Sequence, residues 1–446
     1  MTQSDVRCWE SRTEVSASRS ALGSAGRWPG LGSGVFAAAL LLYAMAMPLG
    51  LARVASAPYV AAAVARAGRQ AAVIPVFAAR LVELAPVGDV GLRANLTSCV
   101  EMALAMSLLA RLAVEVLAIL RPPLRARRGR AMFLHEAIAA VASALVGSLS
   151  LGVFEAGTNA GPSAAILLLL LGAFWAELAL LRDVRSVSAG LVLASFAGLA
   201  TGAAPAVAPI IWPILLWLAI WALRKGARWP VLALICFFAT SGAFLLAGRA
   251  GSLPIATAGS LLPSLPAGPG ERALVMAGVA EVADQVGVVG TILAGVGLVA
   301  ILGRASLVMF WLLLNLITCL AAARLPAAGG RAGLLAAIAI VCVLTCVGAA
   351  HVSARLGRAR LAAACALAVM LVLSPALDGG SLRFGGRLAP MHLLDLALAR
   401  SEIGARVQPG TAELGGLLDL GRAIGLRPDL DIADIPDIAA LPPTRP

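Results

Sequence analysis

The 446-residue chain is 60% hydrophobic and 13% charged, carries a formal net charge of +12 and has a mean hydropathy of +0.93. Continuous Leu- and Ala-rich runs of this kind exclude a water-soluble domain, and they exclude an outer-membrane barrel, whose strands alternate over short segments. The charge does not point to nucleic acid: almost every base is Arg, Lys225 is the only lysine, and the arginines gather at the ends of apolar runs, where they set topology.

In chain order, residues 1–32 are polar and rich in Ser and Arg, and are expected to form a disordered cytoplasmic tail. The following run, about 33–52, is long enough to span and is read as an uncleaved first helix. Residues 53–94 form a long loop with amphipathic patterns of its own, such as IPVFAARLVEL (Ile74 to Leu84). Loops of that length are functional or disordered, and this one is too apolar for disorder. Further spans are predicted near 96–120, 131–152, 164–182, 187–203, 207–223, 229–248, 286–303, 305–323, 332–350 and 360–376, which makes eleven. The pair 187–223 is alternatively one broken span, because GAAPAVAP places two prolines between two short apolar halves. Residues 377–446 resemble a small soluble segment, with helical spacing in MHLLDLALARSEIGARV and strand-like alternation in LDIADI. The fold expected is an all-α polytopic membrane domain over 33–376 with a small extracytoplasmic α/β segment at the C-terminus.

Arginines at 121–130, 182–185, 224–228 and 351–360 fall on one side of this arrangement, and the loops near 153–163 and 203–207 hold none. The positive-inside tendency then places the N-terminus in the cytoplasm, with the long loop and the C-terminal segment outside. Intramembrane charges are functional candidates by default. Arg111 and Glu115 have the i,i+4 spacing of a self-neutralising pair, whereas Glu101, Glu136 and Glu177 have no partner assignable from sequence. His135, His351 and His392 are far apart, the seven cysteines complete no metal pattern, and Gly198 with Gly202 reads as a helix-packing GxxxG.

The run FAARLVELAPVGDVGLRANL (Phe77 to Leu96) resembles the join between the first outer loop and second helix in GT-C membrane glycosyltransferases. The particular likeness is to the bacterial family related to eukaryotic transmembrane protein O-mannosyltransferases. Glu155 stands where that family has an acidic-aromatic motif, SFAGLATGAAPAVAPIIWPIL (Ser195 to Leu215) is similar to its paired helices, and GLRPDLDIADIP (Gly425 to Pro436) to a strand segment of its outer domain. The chain departs from the pattern at the start of the long loop. There Ser56 and Tyr59 stand where the family has Asp and Glu, no His is present, and Pro75 alone corresponds to a proline stretch. In the outer segment a Gly-Asp-x-Asp run becomes Gly410-Thr411-Ala412-Glu413.

The resemblance implies transfer of a sugar from a polyprenyl-phosphate donor to a protein or envelope acceptor at the outer face. Such a transfer needs a base near the acceptor hydroxyl and cations to steady the departing phosphate. Asp89, Glu83 and Glu155 are the candidate acids, and Arg93 and Asn95 the candidate substrate-binding groups. Asp89 equally fits a helix cap, Arg93 an interfacial anchor, and Glu155 an interface cap. No cofactor motif or metal site is evident, and the expected partners are membrane lipid, the lipid-linked sugar and the acceptor. The alternatives are a catalytically inactive paralogue that serves as scaffold or binds the lipid-linked sugar, and a transporter, for which a second broken helix pair is wanting.

Overall fold

A computed structural model of the chain describes residues 29–47, 90–120, 130–204, 207–249, 269–302, 305–323 and 328–377. Among these residues the regular structure is helical and contains no strand. The helices are α1 (Pro29–Ala46), α2 (Val90–Leu120), α3 (Arg130–Leu149), α4 (Leu151–Thr158), α5 (Ser163–Arg182) and α6 (Val187–Ala203). They continue with α7 (Ala208–Arg224), α8 (Trp229–Arg249), α9 (Pro269–Leu302), α10 (Ser306–Ala322), α11 (Ala328–Arg355) and α12 (Arg360–Leu377). Each of the eleven expected spans coincides with a helix, and α4 is additional. Of the expected disordered tail 1–32, residues 29–32 are instead the start of α1, and 1–28, most of the long loop and residues 378–446 lie outside the described residues.

Among the described residues, Leu92–Leu120, Ser163–Arg182, Gly278–Leu302 and Arg331–Arg355 are long and apolar enough to cross a membrane. Counting Leu134–Leu149 with Leu151–Thr158 as one bent span makes five. Six more apolar helices are shorter, such as Val187–Ala203 and Ala208–Arg224. At 17 residues each these reach about 25 Å, short of a hydrocarbon core of about 30 Å.

Helices α5 and α11 form the centre, because they are apolar on every side and such helices are stable only when surrounded. Outward positions of α7 and α8 carry Trp212, Leu216, Ile235 and Phe238, all exposed, an exterior that suits lipid rather than water. With lipid outside, close van der Waals approach has to hold the helices together. Small residues permit it. Gly297 of α9 and Gly348 of α11 lie against each other's backbones, so that a Cβ on Gly348 would overlap the Leu293 carbonyl. Gly198 plays the packing role expected of it, with a Cβ there only 2.9 Å from the Phe237 carbonyl of α8.

The stretch 187–223 forms two helices, α6 packed on α5 and α8 and α7 packed mainly on α10. Part of the expected loop after the third span is helical. At Ser150 the backbone turns extended (φ −58°, ψ 135°), its hydroxyl donates to the Gly147 carbonyl at 2.8 Å, and α4 leaves α3 at 71°. Helix α9 also bends, at Gly287 (φ 78°, ψ 165°), a conformation essentially confined to glycine.

At the opposite end of α2 from Arg93, the sequence expectation needs correction. Glu115 pairs with Arg182 of α5 rather than with Arg111, and the Arg182 guanidinium also donates to the Glu115 carbonyl at 2.9 Å. A cation at the end of a neighbouring helix satisfies both a carboxylate and a main-chain acceptor, which an i,i+4 partner cannot do. Close by, the Trp229 indole donates to the Val184 carbonyl at 2.7 Å and fastens α8 to the α5–α6 turn.

Replacing Gly348 by Leu should overfill the α9–α11 crossing and lower stability by roughly 3 kcal/mol. Gly34→Ala, with nothing within 4 Å of the new methyl, should stay within about 1 kcal/mol on the stabilising side. Thermal unfolding in detergent measures both; an unchanged midpoint for Gly348→Leu would contradict the crossing.

Candidate functional site

The segments singled out by sequence meet around α4. Arg93 and Asn95 lie in the first turns of α2, where residues 90–94, expected as the end of the long loop, are already helical. The Thr97 hydroxyl donates to the Arg93 carbonyl at 3.1 Å. Asn95 is buried, and its Oδ1 accepts the backbone N–H of Ala160 at 2.8 Å. That bond spans 65 residues of sequence and ties the start of α2 to the end of α4.

The turn after α4 is built from side-chain bonds. Asn159 donates from Nδ2 to the Glu155 carbonyl at 2.9 Å and to Thr158 Oγ1 at 3.2 Å, while its own backbone N–H reaches the same carbonyl at 3.2 Å. Asn159 thereby satisfies a carbonyl at the helix C-terminus. At the other end of α4 the Gly152 N–H, with no partner inside its helix, donates to Gln285 Oε1 of α9 at 3.0 Å. Below α4, Tyr43 of α1 packs against Phe154 with ring centroids 6.2 Å apart, and its hydroxyl donates to the Ser148 carbonyl at 3.4 Å. Gly157 admits Met102 of α2 at contact distance.

On the outer side of this frame the Glu155 carboxylate accepts from Arg331 Nη2 of α11 at 3.3 Å. The side chains are 19% and 41% exposed, so the pair is reachable by a ligand and partly screened by solvent. Chemically it is a carboxylate beside a guanidinium, within reach of solvent.

Asn95 and Glu155 are therefore brought to one end of the bundle through the 159–160 turn, and Arg93 opens the same helix as Asn95. Glu83 and Asp89 lie outside the described residues. Sequence reasoning did not name Arg331 or Gln285. Arg331 had no distinguishing signal, because the long loop on the same side carries Arg53, Arg66, Arg69, Arg80 and Arg93. Gln285 had a weak one, as an uncharged amide just before an apolar run. The lone Glu177, without an assignable partner in the sequence, is bonded to Trp311 and Asn315 of α10.

The fold defines a class: an all-helical protein with several helices able to cross a membrane. No family model matches the chain, and no curated protein or solved structure matches it.

Asn95→Ala should strand the buried Ala160 N–H and cost about 1–3 kcal/mol. Arg331→Ala should cost only about 0–1 kcal/mol because its pair is half-solvated. Unfolding of the two variants, compared in the same detergent, checks the order; equal losses would mean that Asn95 is not the clasp.

Proposed function

We propose that the chain is a glycosyltransferase-like protein of a bacterial inner membrane, handling a polyprenyl-phosphate sugar at the end of the bundle that carries Arg93, Asn95, Glu155 and Arg331. The observation that carries this reading is the Asn95–Ala160 hydrogen bond. It joins the GLRANL run and the Glu155 segment, two stretches that separately resemble the GT-C family related to protein O-mannosyltransferases. In this reading all eleven apolar helices are spans, the N-terminus is cytoplasmic, and residues 53–94 and the α/β C-terminal segment are extracytoplasmic.

The chemistry is a single displacement. The acceptor hydroxyl oxygen attacks the anomeric carbon, the bond from that carbon to the phosphate oxygen breaks, and polyprenyl phosphate departs with the bonding electrons. The hydroxyl proton goes to a carboxylate, for which Glu155 is the candidate beside Arg331, with Asp89 and Glu83 on the long loop as the other candidates. Arg93 and Arg331 offer planar forks that match phosphate oxygens.

A second reading, a catalytically inactive paralogue that binds the lipid-linked sugar, is favoured by the Glu155–Arg331 pair, which occupies the carboxylate, and by Ser56 and Tyr59 at the acidic positions of the family motif. The test is incubation of purified protein with labelled polyprenyl-phosphate sugar and membrane extract, alongside an active family member. Wild-type turnover should fall by roughly a hundredfold or more in Glu155→Gln if that carboxylate is the base, and clearly in Arg93→Ala and Asp89→Asn. Equal turnover in every variant would remove these site assignments. Absence of turnover in the wild type, with sugar-lipid still retained, would establish the binding paralogue.

A further inference from the structure

The middle of the bundle holds a polar cluster that this chemistry leaves unused. Glu177 of α5 accepts at one oxygen, Oε2, from the Trp311 indole at 2.7 Å and from Asn315 Nδ2 at 3.2 Å, both on α10. Asn315 Nδ2 also donates to the Trp311 carbonyl at 3.1 Å. Glu177 and Asn315 are 0% exposed. Two acceptor atoms remain without a donor, Glu177 Oε1 and Asn315 Oδ1. No Arg, Lys or His pairs with Glu177 among the described residues. The ionisable neighbour that shares the Asn315 face of α10 is the buried thiol of Cys319, one helical turn on. Helix α6, packed on α5, carries no ionisable residue. On α2, α4, α7, α9 and α11, packed on α5 or α10, no described ionisable side chain bonds to Glu177; Glu115 is held by Arg182 and Glu155 by Arg331.

The two orphan oxygens belong to the same carboxyl and amide that are already joined at their other atoms. A carboxylic acid and a primary amide make a two-point pair, N–H to one carboxyl oxygen and O–H to the amide oxygen. We propose that Glu177 is a reversible proton-binding site, holding one proton on Oε1 while Trp311 and Asn315 of α10 reach across to it as here. That single proton removes an uncompensated charge from an apolar interior and turns Oε1 into the donor that Asn315 Oδ1 lacks. A metal ion would find only these two free oxygens at the cluster among the described residues. Loss of the proton to water breaks only the O–H bond, and it leaves a bare carboxylate that solvent must reach. Release is therefore tied to entry of water beside Glu177.

Infrared difference spectroscopy on the full chain in phosphatidylcholine–phosphatidylglycerol vesicles tests this directly. At neutral pH, wild type minus Glu177→Gln should contain the carbonyl stretch of a protonated carboxylic acid, sensitive to deuterium and indifferent to exchange of sodium for potassium. Gln is the neutral analogue and retains both pairing points, so the variant should fold. Trp311→Phe, which removes one donor from the carbonyl oxygen Oε2, should move the same band to higher frequency, and it carries the test alone if Glu177→Gln is not recovered. Alkaline pH should abolish the band and speed amide exchange in α5 and α10 in the wild type but not in Glu177→Gln. Carboxylate bands alone at neutral pH would overturn the proposal. So would a band that sodium removes at constant pH, or one that Trp311→Phe leaves in place.

Discussion

Everything in this bundle answers to one condition: a backbone polar group surrounded by hydrocarbon must find its hydrogen bond within the protein. A continuous helix meets it unaided, but a broken one does not. The chain breaks its helices beside Ser150 and at Gly287, and the freed groups near α4 are supplied by side-chain amides, two of them from distant helices. Gln285 takes the Gly152 N–H, Asn95 takes the Ala160 N–H, and Asn159 serves the Glu155 carbonyl. Those three amides fix a short helix across the end of the bundle, and with it the direction of the Glu155 carboxylate.

Charge is handled by the same logic with different strengths. Arg182 meets Glu115 where it also bonds the Glu115 carbonyl, so the pair works as a joint between α2 and α5. Glu155 and Arg331 meet at the opposite end of α2, with more solvent around them and a single bond between them. The first pair is the less exposed of the two, and the second is the one that solvent reaches. Between the two ends, packing depends on glycines such as Gly297 and Gly348, which bring helix backbones into contact.

Hydropathy made the long elements legible, because a helix in lipid must be apolar over its whole length and its arginines mark where it stops. The eleven predicted runs accordingly coincide with helices. Helix α4 escaped notice because eight residues containing a glutamate and two glycines carry no span-like signal, and its stability comes from groups outside it. Partners were less legible than elements. The i,i+4 rule offered Arg111 to Glu115, yet Arg182 wins because tertiary placement lets it bond a carbonyl as well. For the site, the residues of GLRANL and Glu155 could be chosen from sequence, but their junction through Ala160 could not, since a backbone N–H leaves no mark in composition.

The bend at Gly287 has a mechanical consequence. Glycine lacks the Cβ that would hold the two arms of α9 at one angle, so the angle has to be set elsewhere. Gln285, two residues before the bend, is fastened to α4, while Gly297, on the far arm, is seated on α11. The helix is thus a hinged rod pinned on both sides of its hinge, with one pin in the packed interior and the other on the short helix that carries Glu155. Displacement of the arm that carries Gln285 is delivered to α4 through that amide, and a shift of α4 pulls on the arm in return.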